Sequence, residues 1–195
     1  VVDATDPVRV TRLRITNRGT GTRRLRIYGY AEWVLGSSRA RTAPTIVPER
    51  EPRSGALTAR NPYELDFPDR MAFLATDGDA HSMTADRAEF LGNGCSESPE
   101  SVLAGAALSG TVEAGRDPCA AIARDVEVEP GGTVETLWLL GDAESIARVG
   151  DLVLAHRQRP FEERLAEVKA EWGGFLGTVQ VDTPDPAMNA LVNHW

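Results

Sequence analysis

The run Leu25-Arg26-Ile27-Tyr28-Gly29-Tyr30-Ala31-Glu32-Trp33-Val34-Leu35 decides the fold class. Leu25, Ile27, Gly29, Ala31, Trp33 and Leu35 share one side of an extended chain, and Arg24, Arg26, Tyr28, Tyr30 and Glu32 share the other. A period of two marks a strand with one face in a core, because successive side chains of a strand point to opposite faces. Upstream, Val8 to Ile15 alternates in the same way. Asn17-Arg18-Gly19-Thr20-Gly21, between the two runs, supplies residues that tolerate positive φ, so the sequence predicts a hairpin of neighbouring antiparallel strands. Arg9, Arg12, Arg14, Arg18, Arg23, Arg24 and Arg26 alternate with apolar residues and read as a solvated strand face rather than a basic binding patch.

The same grammar continues downstream. Thr45 to Val47, Ala56 to Ala59 and Met71 to Thr76 read as strands, the last two split by the turn residues Asn61-Pro62-Tyr63. Asp77-Gly78-Asp79 reads as a hairpin turn, and Ala120 to Val128 with Val134 to Leu140 as a further hairpin about Pro130-Gly131-Gly132. Thr84 to Gly115 is rich in Gly, Ser, Glu and Ala. It predicts a short helical turn near Asp86 to Phe90 and otherwise an extended loop, mobile when its partner surface is absent. A loop of that length is more often functional than a mere connector.

After Gly141 the period becomes helical. Asp142 is expected to cap a helix reaching His156, with Ile146, Val149 and Val153 inward. Pro160 opens a second helix whose Phe161, Leu165, Val168, Trp172 and Leu176 form an apolar stripe, with Gly177 as its C-cap. Val179 to Val181 is extended. Asp185 then caps a last helix with Ala187, Met188, Leu191, Val192 and Trp195 on one face. Strands followed by helices predict an antiparallel β-sandwich with a C-terminal helical linker, with Trp33 and Trp138 in its core. The opening Val1-Val2 and the unfinished apolar face at Trp195 read as a segment of a larger protein.

Composition removes several function classes. With 21 Lys and Arg against 29 Asp and Glu, the net charge of −8 disfavours a nucleic-acid surface. No run approaches the roughly 18 apolar residues that a membrane crossing needs. Cys95 and Cys119 match no disulfide framework or metal motif and are expected as free thiols in a reducing compartment. His81, His156 and His194 are scattered, and His156 is expected only to favour the end of its helix. There is no HExxH, Gly-rich phosphate loop or GxSxG. Asp66, Asp69, Asp86, Glu89, Glu97, Glu100 and Asp117 lie in or near loops without a recognisable pairing. No catalytic residue and no metal ligand is therefore expected in this stretch.

Several runs then stand in one order: Tyr28 to Gly36 (YGYAEWVLG), Arg60-Asn61-Pro62-Tyr63, Arg70-Met71-Ala72-Phe73, Asp86 to Gly92 (DRAEFLG), Gly115 to Ala121 (GRDPCAA), Leu139-Leu140-Gly141 and Val179 to Asp185 (VQVDTPD). Together they resemble the N-terminal β-sandwich region of glycoside hydrolase family 94, most of all the phosphorylase-like module of cyclic β-1,2-glucan synthases. Asn93 follows Gly92 directly where that pattern has a basic residue, and Cys95 stands where it has a small one.

The resemblance implies a galactose-mutarotase-like super-sandwich at 1–141, a helical linker at 142–183, and at 184–195 the first helix of an (α/α)6 barrel that would hold the catalytic residues. It implies a parent that transfers or phosphorolyses a β-glucan, with this stretch supporting the barrel. Sugar contacts are expected from Arg60, Asn61, Tyr63, Arg87, Glu89 and Asn93. No cofactor is expected here; where the parent uses inorganic phosphate, it binds outside this stretch. The expected partners are a β-glucan oligosaccharide, the barrel and a second copy in a homodimer. The expected location is the cytoplasm, with an inner-membrane anchor only in the parent. Two alternatives stay open. One is an independent carbohydrate-binding module using Tyr28, Tyr30 and Tyr63 as an aromatic platform. The other is a structural or dimerisation domain.

Overall fold

The computed structural model describes residues 1–194. The strands are β1 (Val8–Thr16), β2 (Arg23–Glu32), β3 (Val47–Arg50), β4 (Leu57–Arg60), β5 (Met71–Thr76), β6 (Ser82–Asp86), β7 (Pro118–Val128) and β8 (Thr133–Ala143). The helices are α1 (Arg39–Thr42), α2 (Arg87–Leu91), α3 (Glu100–Ala104), α4 (Ile146–Gln158), α5 (Phe161–Leu176) and α6 (Pro186–His194). The strands form two antiparallel sheets, one in the order β1-β8-β5-β4-β3 and the other β2-β7-β6.

Seven strands fall at or near the predicted runs; β6 was not expected, since its residues read as the start of a helical turn and loop, and three predicted hairpins are not hairpins. β1 pairs with β8 and β2 with β7, so the segment at residues 17–22 carries the chain from one sheet to the other. The Pro130-Gly131-Gly132 turn does the same between β7 and β8, and Asp77-Gly78-Asp79 between β5 and β6. Asn17 supplies the reason at the first two. Its backbone N–H donates to Gly132 O at 3.0 Å and its carbonyl accepts from Gly131 N at 2.9 Å, so the two connections lie side by side. Its buried side-chain amide donates to Gly21 O and Val128 O at 2.8 and 2.9 Å. Each connection is held by its neighbour rather than closed on itself.

Alternation along the strands produces three apolar layers. Between the sheets lie Trp33, Leu57, Leu74, Ile122 and Trp138. On the outer face of the larger sheet, Val10, Phe73 and Leu139 meet Val149, Leu152 and Val153 of α4. On the outer face of the smaller sheet, Cys119, Ala121 and Ala123 meet Phe90, Leu91 and Leu108. Trp33 and Trp138 are both core residues, at 5% and 9% exposure. Thr45 closes a 3-10 turn, Ala43–Thr45, and the strand starts only at Val47.

The segment from Thr84 to Gly115 is more ordered than its composition suggests. α2 begins where expected, with Asp86 Oδ1 accepting from Ala88 N at 2.9 Å. A further helix, α3, follows after Pro99. Phe90, Leu91 and Leu108 are buried, so this segment is a packed outer layer of the small sheet rather than an open loop.

α4 is capped by Ser145, whose side chain accepts from Arg148 N, and not by Asp142, because β8 continues through Asp142 to Ala143. Val149 and Val153 point inward as expected. On α5, Phe161 packs against the core, but the predicted stripe fails further along, where Trp172 and Leu176 are exposed. Gly177 does cap its end. Asp185 Oδ1 accepts from Ala187 N at 2.9 Å at the start of α6. The expectation for Trp195 lies outside the described residues. Among the described residues no helix is long and apolar enough to cross a membrane.

Candidate functional site

Antiparallel pairing gathers several chain reversals at one end of the sandwich. The short connections at 17–22 and 130–132 set the near end. The opposite end holds the last residue of β2, the ends of β4 and β6, and the starts of β5 and β7: Glu32 pairs with Cys119, Asp86 with Pro118, Arg60 with Met71, and Met71 with Ala143. The candidate residues therefore sit on loops and strand ends at this far end.

The largest cavity there, about 750 Å³, lies between the chain leaving β2 and the loop joining β4 to β5. Glu64, Asp66, Arg70 and Asp142 bring charge to it, and Leu35 and Phe67 bring apolar surface. Arg70 Nε donates to Asp142 Oδ2 at 2.6 Å, fixing both groups at the wall. The β2 exit bends sharply. Leu35 has φ 37°, alone among the described non-glycine residues in taking a positive value, and Gly36 follows at 148°. A Cβ at Gly36 would collide with Glu64 and Thr42, so glycine there lets the loop carboxylate close over the turn.

Asn61, placed by sequence among the sugar-binding candidates, pins this loop. Its Nδ2 donates to Leu35 O at 2.9 Å, while its Oδ1 accepts from Thr45 Oγ1 at 2.8 Å and Tyr63 N at 3.2 Å. Arg60 pairs with Glu49 across the strands at 3.3 Å. Tyr63 is 77% exposed, and the neighbouring Leu65 and Phe67 are exposed as well. Arg60, Asn61 and Tyr63 thus lie together, but only Tyr63 presents a free side chain.

Arg87 belongs to a second group on the small sheet. Its guanidinium reaches Glu32 Oε1 at 3.2 Å and Asp117 Oδ2 at 3.4 Å, and Arg39 pairs with the same two carboxylates. Glu89 is turned elsewhere, accepting from Thr84 Oγ1 at 2.6 Å and from Ser109 N and Oγ, both at 2.7 Å. Asn93 is exposed near Cys95, its backbone N–H donating to Glu100 Oε2 at 3.0 Å. Arg87 and Glu89 therefore have intramolecular partners, and Asn93 lies apart from the cavity's lining. Glu32, Arg39, Asp117, Glu64, Phe67 and Asp142 complete these groups; Glu32 and Asp117 stood out in sequence only within longer runs or as loop carboxylates, Asp142 only as a helix cap, and Arg39, Glu64 and Phe67 not at all. Arg70 was legible only as part of the run Arg70-Met71-Ala72-Phe73.

One further expectation changes. Tyr28 and Tyr30 do not form an open stacking platform, because Phe90 covers them, with ring centroids 6.0 and 4.9 Å away. Burial pushes the Tyr30 hydroxyl up to about 12, with Glu32 adding to the rise. The two cysteines are free; burial raises the Cys119 thiol to about 12, and Cys95 is exposed.

The chain is 45% identical over its full length to cyclic beta-(1,2)-glucan synthase NdvB of Rhizobium meliloti (strain 1021), covering 7% of that protein. It is 26% identical, again over its full length, to solabiose phosphorylase of Paenibacillus borealis, covering 26% of it. Over 56% of its length it is 29% identical to 3-O-beta-D-glucopyranosyl-beta-D-glucuronide phosphorylase of the same organism, covering 14% of that protein. Residues 1–159, which hold both sheets and α4, match the supersandwich domain of glycosyl hydrolase 94. The chain belongs to that family.

Proposed function

We propose that this chain is the non-catalytic supersandwich of a larger β-glucan-active enzyme, and that the whole protein builds or transfers β-1,2-linked glucose units. The observation that carries this reading is the match along the entire chain to a β-1,2-glucan synthase of which it covers only a small part. The reaction itself belongs to a barrel module elsewhere in the polypeptide. The sandwich contributes a scaffold and a sugar-facing end.

The far-end cavity suits that second role. A glucose ring offers hydroxyls that both donate and accept, and a C–H face that packs on apolar groups. Carboxylates at Glu64 and Asp66, donors at Arg70, and the Phe67 ring supply both kinds of contact. These groups bind and orient, which accelerates a reaction by positioning rather than by moving protons. Exposure of Tyr63 and Phe67 also favours a second reading, a module that binds glucan independently of the barrel.

Calorimetric titration of the chain with β-1,2-gluco-oligosaccharides separates the two, because binding by the isolated chain is required only by the second. The 195-residue chain is also expected to release no glucose 1-phosphate and form no transglycosylation product from these oligosaccharides, with or without phosphate. Either product would overturn the non-catalytic assignment.

A further inference from the structure

Arg164, on the first turns of α5, is completely buried, and its surroundings assemble from opposite ends of the sequence. Its Nε donates to Asp3 Oδ2 at 3.1 Å, and its Nη2 lies 2.8 Å from His156 Nδ1 on α4. On the other side of the imidazole, Nε2 lies 3.2 Å from Asp6 Oδ2. Arg159, between the helices, donates to Asp3 at 3.0 Å, and Arg148 of α4 reaches Asp6 at 3.4 Å. Two carboxylates from the N-terminal segment, three arginines and one histidine thus lock α4, α5 and the chain start together.

The geometry fixes the histidine's state. A guanidinium only donates, so Nδ1 must accept and carries no proton. Nε2 then holds the proton and donates it to Asp6. His156 is 2% exposed, and burial together with the facing Arg164 holds its pKa below the ordinary 6.5 against the pull of Asp3 and Asp6. Asp3, Asp6 and His156 also lie close enough to suggest metal ligands. A cation does not fit, because Asp3 Oδ1 already accepts from Thr5 and Asp6 while its Oδ2 accepts from two arginines.

We propose that His156 is a proton-operated latch that fastens α5 to the sandwich. A proton arriving at Nδ1 removes the acceptor of Arg164 and sets two cations face to face without water between them. The relief available is separation of α5, whose later turns offer little resistance, since Trp172, Phe175 and Leu176 are exposed. Because α5 leads onward to α6, the latch sets whether the chain beyond the sandwich is held rigidly or swings.

The linkage has a definite sign. The folded pKa lies below the unfolded one, so the latched state is fully favoured above about 6.5 and is progressively disfavoured as pH falls below it. The test is hydrogen exchange across residues 161–176 of the 195-residue chain at pH 7.5 and 5.0, corrected for the intrinsic pH dependence of exchange. Wild type should lose protection in α5 at pH 5.0 while β5 and β8 keep theirs. His156→Gln, which keeps an N–H for Asp6 and cannot titrate, should show the same α5 protection at both values. Unchanged wild-type protection, or an equal loss in His156→Gln, overturns the proposal. If His156→Gln fails to fold, NMR titration of the wild-type His156 ring decides. Titration below 6.5 that coincides with shifts in α5 supports the latch; titration at or above 6.5, or without those shifts, refutes it.

Discussion

The six-membered ring of Trp138 occupies the space that a side chain at Gly29 would need; a Cβ built there lies 2.2 and 2.3 Å from two of the ring's carbons. The two residues lie on different sheets, β8 and β2, so this is the point where the sheets approach around a single large side chain. Glycine in a strand interior is locally unfavourable. Here the fit of the tryptophan outweighs it.

Gly29→Ala is therefore expected to destabilise the chain by roughly 1–3 kcal/mol through overpacking. Trp138→Ala should cost about 3–5 kcal/mol through the void it leaves. Chemical denaturation of both variants and of the double mutant checks this. The glycine penalty should shrink markedly once the ring is gone, because the two changes share one space.

Asn61 and Tyr63 separate structural from functional roles on one loop. Asn61→Ala removes three hydrogen bonds at a buried site and should lower stability by about 1–3 kcal/mol. Tyr63→Ala should leave the melting temperature of the chain within about a degree, as expected for an exposed side chain. In the larger enzyme proposed above, Tyr63→Ala should instead lower kcat/KM. Unchanged kinetics would remove Tyr63 from the sugar-facing end.

Phe90 is the nail of the outer layer, buried against Tyr28 and Tyr30. Phe90→Ala should cost about 3–5 kcal/mol. Proteolysis should then cut first within residues 91–110, since α2 and α3 lose their anchor. A cleavage pattern like that of wild type would show that the segment is held by other contacts.

Glu51 gives a pH dependence independent of His156. Burial alone would push its carboxyl up, but hydrogen bonds from the Ser54 hydroxyl and N–H and from Arg53 hold it below its ordinary 4.5. A depressed carboxyl contributes stability that is present above the unfolded value and lost as pH falls through the folded one. The gap in melting temperature between wild type and Glu51→Gln should thus be wide at pH 7 and narrow towards pH 3. A constant gap would show that the ionised form of Glu51 contributes nothing.

Apart from β6, whose five residues run into the Gly- and Ser-rich stretch after Thr84, the strands were legible because each carries its own evidence: Leu25 to Leu35 alternates whatever it pairs with. Their partners were not. A Gly-rich turn such as Gly19-Thr20-Gly21 reverses the chain equally well within a sheet or between two, and Asn17 tips the balance only through Gly131 and Gly132, far away in sequence. α3 was hidden because five residues give too little periodicity to register. Among the site candidates, Tyr63 kept a free side chain, whereas Asn61, Arg87 and Glu89 found intramolecular partners that no local pattern shows. His156 read as an ordinary helix-end residue because its carboxylates sit at Asp3 and Asp6, at the opposite end of the sequence.

The side-by-side connections near Asn17 also set an order of events. Val8 pairs with Gly141 and Arg23 with Val128, so β1 and β2 have no partner strand until β8 and β7, about a hundred residues later, have emerged from the ribosome. Such distant pairing slows folding, since loop closure precedes any return from contacts. During synthesis, the edges of β1 and β2 wait open and exposed to other nascent chains. A polypeptide released before β8 would lack the strand that joins β1 to β5. Ribosome stalling between β7 and β8 should yield a chaperone-bound species, with protease resistance arriving abruptly once residue 143 has cleared the exit tunnel.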